Sequence, residues 1–197
     1  MDITLALPRH SVKSSTKDSE LPLLEAARAM NKEALVKIFD MYSAALYNYA
    51  YRLCNDPLKA DYIVGDVFAK LLEQFSAGNG PSTNLRSYLY EAVYHLIVDE
   101  ARYSNREAPL ETVESAPYDG YSAYVNVENQ LLMKAIVLAI QNNLTIDQRH
   151  VIILRFLEGF SLSETAAIIG KNVNHVKVIQ NRAITTLRKA LEDKVLK

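Results

Sequence analysis

The sequence has no tryptophan, a single cysteine, and only six glycines and six prolines among 197 residues. One thiol, Cys54, excludes an intramolecular disulfide and a thiolate zinc cage, and it suits a reducing, cytoplasmic setting. So few Gly and Pro leave little punctuation for an all-β chain, and the long apolar-periodic runs between them predict an all-α protein. No stretch approaches the roughly 18 uninterrupted apolar residues of a membrane span, so no direct membrane insertion is expected, and no signal peptide opens the chain. Glycine-rich phosphate loops, Ser-His-Asp sets and paired catalytic carboxylates are also missing, so no enzyme, catalytic residue or cofactor is expected. Glu91, His95 and Asp99 follow one another at four-residue steps, but without a second ligand cluster they read as a solvated stripe and not a metal site. His150 and His175 stand alone, and Cys54 reads as a small buried hydrophobe.

What is present is a chain able to build real cores, 49% hydrophobic by residue, with a net charge of −1 that hides an uneven distribution. Residues 129–197 carry ten Lys/Arg against five Asp/Glu, residues 107–128 carry five acids and no base, and residues 23–106 are nearly balanced. A basic end, an acidic joint and a neutral body predict parts with different partners. Helical periodicity fails at the same joint, where Ala108-Pro109 and Ala116-Pro117-Tyr118-Asp119-Gly120 interrupt it. The expected organisation is therefore a flexible leader (1–20), a helical domain (21–106), a flexible acidic linker (107–127) and a second helical domain (128–197).

In the first domain one helical stretch is expected from Leu23 to Cys54, with Leu35, Ile38, Phe39, Tyr42, Leu46 and Tyr49 at three- and four-residue steps. Tyr42, Tyr47, Tyr49 and Tyr51 read as core and boundary packing. Asp56 and Pro57 suit an N-cap and first helical position; the helix after them ends at Gly78-Asn79-Gly80-Pro81, and another begins near Asn84 as its cap. In the second domain a helix is expected from 128 to 142, followed by two capping boxes, Thr145–Gln148 and Ser161–Glu164. Gly170-Lys171-Asn172 then turns the chain, with Asn172 capping the last helix.

A short helix, a glycine-containing turn and a second helix form a helix-turn-helix, whose second helix enters the major groove of duplex DNA. Its early face offers Asn174, His175, Lys177, Val178 and Asn181. Asn bonds adenine in bidentate fashion, Lys reaches guanine or phosphate, and Val meets a thymine methyl. Arg182, Arg188 and Lys189 lie further along, suited to phosphates that position without reading sequence.

The run from Leu144 to Gly170 (LTIDQRHVIILRFLEGFSLSETAAIIG), continued by Val176-Lys177, Arg182-Ala183 and Leu187–Leu191, closely resembles the C-terminal conserved region of bacterial sigma factors of the extracytoplasmic-function group, within the sigma-70 family. Lys59–Leu72 resembles that group's core-polymerase-binding helix, and Asn84–Arg102 its promoter-melting helix. The resemblance implies an all-α protein of two small helical domains, the C-terminal one a winged-helix-like helix-turn-helix. It implies docking of Asp61, Ile63, Asp66, Val67 and Leu71 on the clamp of the largest polymerase subunit, with the flap of the second subunit as a further contact. Arg86, Tyr88, Tyr94, His95, Arg102 and Arg106 would bind and melt the minus-ten element, since aromatic faces stabilise splayed bases while basic groups follow the backbone; Tyr90 and Tyr103 add further rings. Asn174, His175, Lys177, Val178, Asn181 and Arg182 would read the minus-thirty-five element. An anti-sigma protein is the further partner implied, and the acidic linker would lie in polymerase channels otherwise used by nucleic acid.

The chain departs from the family pattern at Tyr62 (usually an acid), Gly65 (usually Gln), Glu91 (commonly basic), His95 (commonly Asn) and Ile179-Gln180 (often Arg-Leu). Two rival classes are disfavoured. A free-standing regulator does not need the aromatic and basic segment after Asn84, and a scaffold without nucleic acid does not explain the charge split.

Overall fold

The computed structural model describes residues 17–104 and 136–195, and all regular structure among them is helical. The first helix, α1 (Lys17–Arg28), begins inside the stretch expected to be a leader. The single helix expected from Leu23 to Cys54 is divided. Met30 turns the chain with φ 60°, and Asn31 caps α2 (Lys32–Cys54) by accepting the Ala34 N–H at 2.9 Å. An Asn side chain that satisfies an orphan amide outweighs continued apolar periodicity at that point.

Asn55 ends α2 in the left-handed region, and Asp56 starts α3 (Pro57–Ser76) as expected, accepting the Lys59 N–H at 3.1 Å with Pro57 in the first turn. The helix α4 (Leu85–Ser104) follows a turn through residues 78–84. Asn84 is not a regular N-cap, because its φ is 52° and a capping residue holds extended backbone. The Arg28 guanidinium gathers the turn before it, donating to the carbonyls of Gly80 (2.9 Å), Pro81 (3.1 Å), Asn79 (3.3 Å) and Gly78 (3.4 Å). The core of this half is filled by Leu24, Ile38, Leu46, Ile63, Val67, Leu71, Leu89 and Val93, all buried. Each contributes about 1.5–3 kcal/mol of burial free energy.

In the second half, residues 136–143 are helical (α5). Then come α6 (Ile146–Ile152), a π-helical turn over Ile153–Leu157, α7 (Leu162–Ile168) and α8 (Val173–Val195). Both expected capping boxes form: Thr145 with Gln148, and Ser161 with Glu164. Asn172 caps α8, accepting the His175 N–H at 2.8 Å. The π turn was not expected; in it the Glu158 N–H reaches back to Ile153 O at 2.9 Å, and the Phe160 N–H to Leu154 O at 2.9 Å. The acidic linker and the start of its following helix at 128 lie outside the described residues. The two halves pack together, with α4 against α7 and α2 against α6.

Candidate nucleic-acid interface

The helix-turn-helix is assembled from α7, the turn at Gly170 and α8. Thr165, Ala166 and Ile168 of α7 are buried against Val176, Ile179 and Ala183 of α8 in a shared core, and the small Ala166 lets the helices approach. Gly170 has φ +63°, which a side chain would strain, and the Lys171 N–H closes the turn on Ala166 O at 2.9 Å. Lys171 also pairs with Asp147 at 3.3 Å, fastening the turn to α6.

Burial of Val176, Ile179 and Ala183 orients α8. It leaves Asn174, His175, Lys177, Val178, Asn181 and Arg182 exposed as one continuous face. Lys177, Arg182, Arg188 and Lys189 form no ion pair with any acid among the described residues. A capped helix thus presents amides, a hydrophobe and unneutralised cations at its start, which is a surface able to contact base edges and phosphates together. The atypical pair is accounted for separately. Ile179 is a core residue, and Gln180 accepts a hydrogen bond from Arg155 Nε at 3.2 Å.

The set expected to dock on polymerase divides in two. Ile63, Val67 and Leu71 point into the core of the first half, a correction to any direct role in docking, since a helix has one inward face and these positions occupy it. Asp61 is exposed and Asp66 half-buried, the latter paired with Lys70 at 2.8 Å. Around them α3 displays Leu58 (81% exposed) and Tyr62 (72%), with nothing within 4 Å of where a Gly65 side chain would begin.

The α4 set is also divided. His95 and Arg102 are exposed, alongside Glu91 and Asp99, with which they pair at 3.7 and 3.4 Å. This outer stripe sets two carboxylates beside one arginine and one histidine and is not basic. Tyr88 is half-buried, and Arg106 lies outside the described residues. Arg86 and Tyr94 face the second half of the molecule. Arg86 Nη2 donates to Glu158 O at 2.5 Å and its guanidinium sits 3.9 Å from the centre of the Phe160 ring. Tyr94 is 7% exposed and meets the His150 ring edge-on at 4.7 Å.

Sequence reasoning missed this seam. The Glu158 carboxylate accepts from Arg52 Nη1 (2.8 Å) and Tyr90 OH (2.6 Å). Tyr49 OH and His150 Nδ1 share a hydrogen bond of 2.7 Å, and Gln141 donates to Arg52 O and Asn55 Oδ1. Burial pushes the His150 pKa down to about 3, with a smaller contribution from Arg149. Burial raises the Tyr90 hydroxyl far above its ordinary value, helped by the Glu158 carboxylate. The partners are separated by 68 to 106 residues, a range at which no spacing rule operates.

Two family models match the chain, the sigma-70 region 2 over residues 38–107 and the sigma-70 region 4 over residues 142–189. Among similar proteins is the extracytoplasmic-function RNA polymerase sigma factor BldN of Streptomyces coelicolor, 27% identical over 193 residues, covering 94% of this chain and 70% of that protein. Another is the sigma factor SigX of Bacillus subtilis, 26% identical over 170 residues, covering 82% and 85%. Among solved structures, the sigma factor RpoE in complex with the anti-sigma factor NepR from Bartonella quintana matches with a TM-score of 0.62 at 25% identity, covering 79% of this chain and 95% of that one. CnrH in complex with the cytosolic domain of CnrY shares the fold, with a TM-score of 0.67 at 20% identity over 89% and 99%.

Proposed function

As the chain belongs to the extracytoplasmic-function group of the sigma-70 family, promoter-recognising subunits of RNA polymerase, we propose that its two halves divide the promoter between them. The observation that carries this reading is the single exposed face of α8, where Asn174, His175, Lys177, Val178, Asn181 and Arg182 stand together behind a fully capped helix-turn-helix. That face reads the minus-thirty-five element as duplex, the amides and Val178 against base edges and Arg182 against phosphate.

The first half works on the minus-ten element. His95 and Arg102 on the outer stripe of α4, with Tyr88 and Arg106, hold an unstacked base and follow the displaced strand, because aromatic faces accept any base and cations track phosphates; Arg86 and Tyr94, engaged against the second half, brace the helix instead. The outer face of α3 docks on the polymerase clamp through Asp61, Asp66, Tyr62 and Leu58, while the inward Ile63, Val67 and Leu71 keep that helix rigid. The flap of the second polymerase subunit receives the C-terminal half, and the acidic linker lies between them in channels otherwise occupied by nucleic acid. One structural relative, RpoE, was captured with the anti-sigma factor NepR, and an anti-sigma protein is the inhibitory partner here as well.

The test is reconstitution. Added to bacterial core polymerase, the purified chain produces promoter-specific runoff transcripts. Absence of both core binding and specific transcript defeats the reading. Tight binding of the chain alone to a palindromic duplex would instead favour a free-standing regulator.

A further inference from the structure

The exposed face of α8 is not uniform across its width. Val176, Ile179 and Ala183 are buried, and Gln180 is held aside by Arg155. At roughly 100° of turn per residue, the direction opposite them falls on Asn174, Val178, Asn181 and Thr185, all exposed. This central stripe carries no charge. Cations stand on both its flanks, Lys177 and Arg188 on one side and Arg182 and Lys189 on the other, and none is ion-paired among the described residues. Neither the Asn174 nor the Asn181 side-chain amide has a hydrogen-bond partner among the described residues. Val178 is 45% exposed and stands outside the core.

The major groove of duplex DNA has base edges along its floor and a phosphate row on either side. A neutral stripe between two cationic rows matches that cross-section, so the flanks meet phosphates and the stripe alone meets bases. Its composition then limits what it reads. Guanine is read by the guanidinium of Arg or the ammonium of Lys, and cytosine by a carboxylate; the stripe has none of these. An Asn amide pairs with adenine at N6 and N7 together, and an apolar side chain packs on the thymine methyl. The Thr185 hydroxyl is occupied, donating to the Asn181 carbonyl at 2.9 Å. Asn174 and Asn181 lie about 10 Å apart along the helix axis, which is about three base-pair steps, with Val178 between them. We propose that α8 reads a core of A·T pairs in the minus-thirty-five element, Asn174 and Asn181 each bonding an adenine and Val178 packing on a thymine methyl between them. The proposal rests on this face being the minus-thirty-five reader, and the test separates the failure of either.

The probe is a pool of duplex promoters randomised across both elements, selected for binding to holoenzyme reconstituted from the full chain and core polymerase. The upstream block is enriched in A·T pairs at three positions. Base analogues in the best-selected promoter then remove one group at a time. Deoxyuridine, which lacks only the thymine methyl, weakens binding about threefold at one position, and the same replacement costs nothing in Val178→Ala. Replacing adenine by 7-deazaadenine removes the N7 acceptor and weakens binding about fivefold at two positions. One of these losses disappears in Asn174→Ala and the other in Asn181→Ala. Asn181→Arg moves the preferred base at its position from adenine to guanine, a gain that a merely structural role does not produce. An upstream block in which G·C pairs occupy these positions overturns the proposal, as do analogue losses that are equal in parent and variants. A holoenzyme that initiates at selected promoters with no enriched upstream block defeats the minus-thirty-five reading itself, and the proposal with it.

Discussion

His150 shows how burial turns an ordinary side chain into a source of acid lability. Its ring is fully buried, Nδ1 engages Tyr49, and Nε2 has no partner among the described residues. Protonation would place a charge and a second N–H where only one acceptor stands. The folded pKa of about 3 lies below the ordinary 6.5. Below that ordinary value the unfolded chain takes up a proton that the folded chain refuses. The stability contributed by neutral His150 is therefore complete above about pH 6.5 and is lost as pH falls toward 3, at up to about 1.4 kcal/mol per pH unit. Urea denaturation at neutral pH and at about pH 5 checks this; His150→Phe shows a distinctly shallower acid loss than the parent. Gly65 is a second residue-scale case. It sits inside α3 with open space around it, so Gly65→Ala adds about 0.5–1 kcal/mol of stability in a denaturant titration through helix propensity alone. The same substitution adds a methyl group to the exposed face beside Tyr62, and reduced affinity for core polymerase in that variant would mark this position as part of the docking face.

At the scale of elements, the caps carry the helix-turn-helix. Thr145→Ala and Ser161→Ala each remove a side-chain acceptor from an orphan amide and cost about 1 kcal/mol, read from the shift in denaturation midpoint. Lys177→Ala leaves the fold intact, weakens binding of the holoenzyme to promoter DNA across sequences, and reduces the slope of log affinity against log salt by about 1. These elements were legible in the sequence because a cap is local. Thr145 and Gln148, Ser161 and Glu164, and Asn172 and His175 meet three residues apart, and side-chain chemistry at that spacing decides the backbone. The π turn at Ile153–Leu157 was not legible. It depends on the Arg155 guanidinium capturing the Phe160 carbonyl and Gln180, contacts that exist only after the turn has formed. Asn84 misled for the same reason in reverse. Its residue type suits a cap, while the turn drawn in by Arg28 holds its backbone left-handed.

For the whole molecule, both halves and their order were readable from the two conserved blocks, and the outward face of α8 from its alternation with Val176, Ile179 and Ala183. The seam was not readable. Glu158 is charged, flanked by glycine and looks like a solvated loop residue, and only the fold brings it to Arg52 and Tyr90. Assigning Arg86 and Tyr94 to a partner was natural for the same reason, since a sequence does not reveal which side of a helix the rest of the chain will cover. Because Tyr49, Tyr90 and Phe160 join the two cores, the chain unfolds in urea as one cooperative transition. Phe160→Ala costs about 3–5 kcal/mol and separates that transition into two, detected by comparing far-ultraviolet dichroism with tyrosine fluorescence.

The Arg28 clamp has a consequence for how the turn before α4 tolerates change. Arg28 grips four successive carbonyls and no side chain of the turn, so the identities of Asn79 and Ser82 are nearly free to drift. Gly80 is not, for its φ is +89° and an added Cβ would lie 3.0 Å from the Phe75 ring. A saturation-mutagenesis map of residues 78–84 would therefore be nearly blank at Asn79 and Ser82 and marked at Gly78, Gly80 and Asn84, whose backbones are left-handed. The specification for entering α4 is stored fifty residues upstream, in one guanidinium.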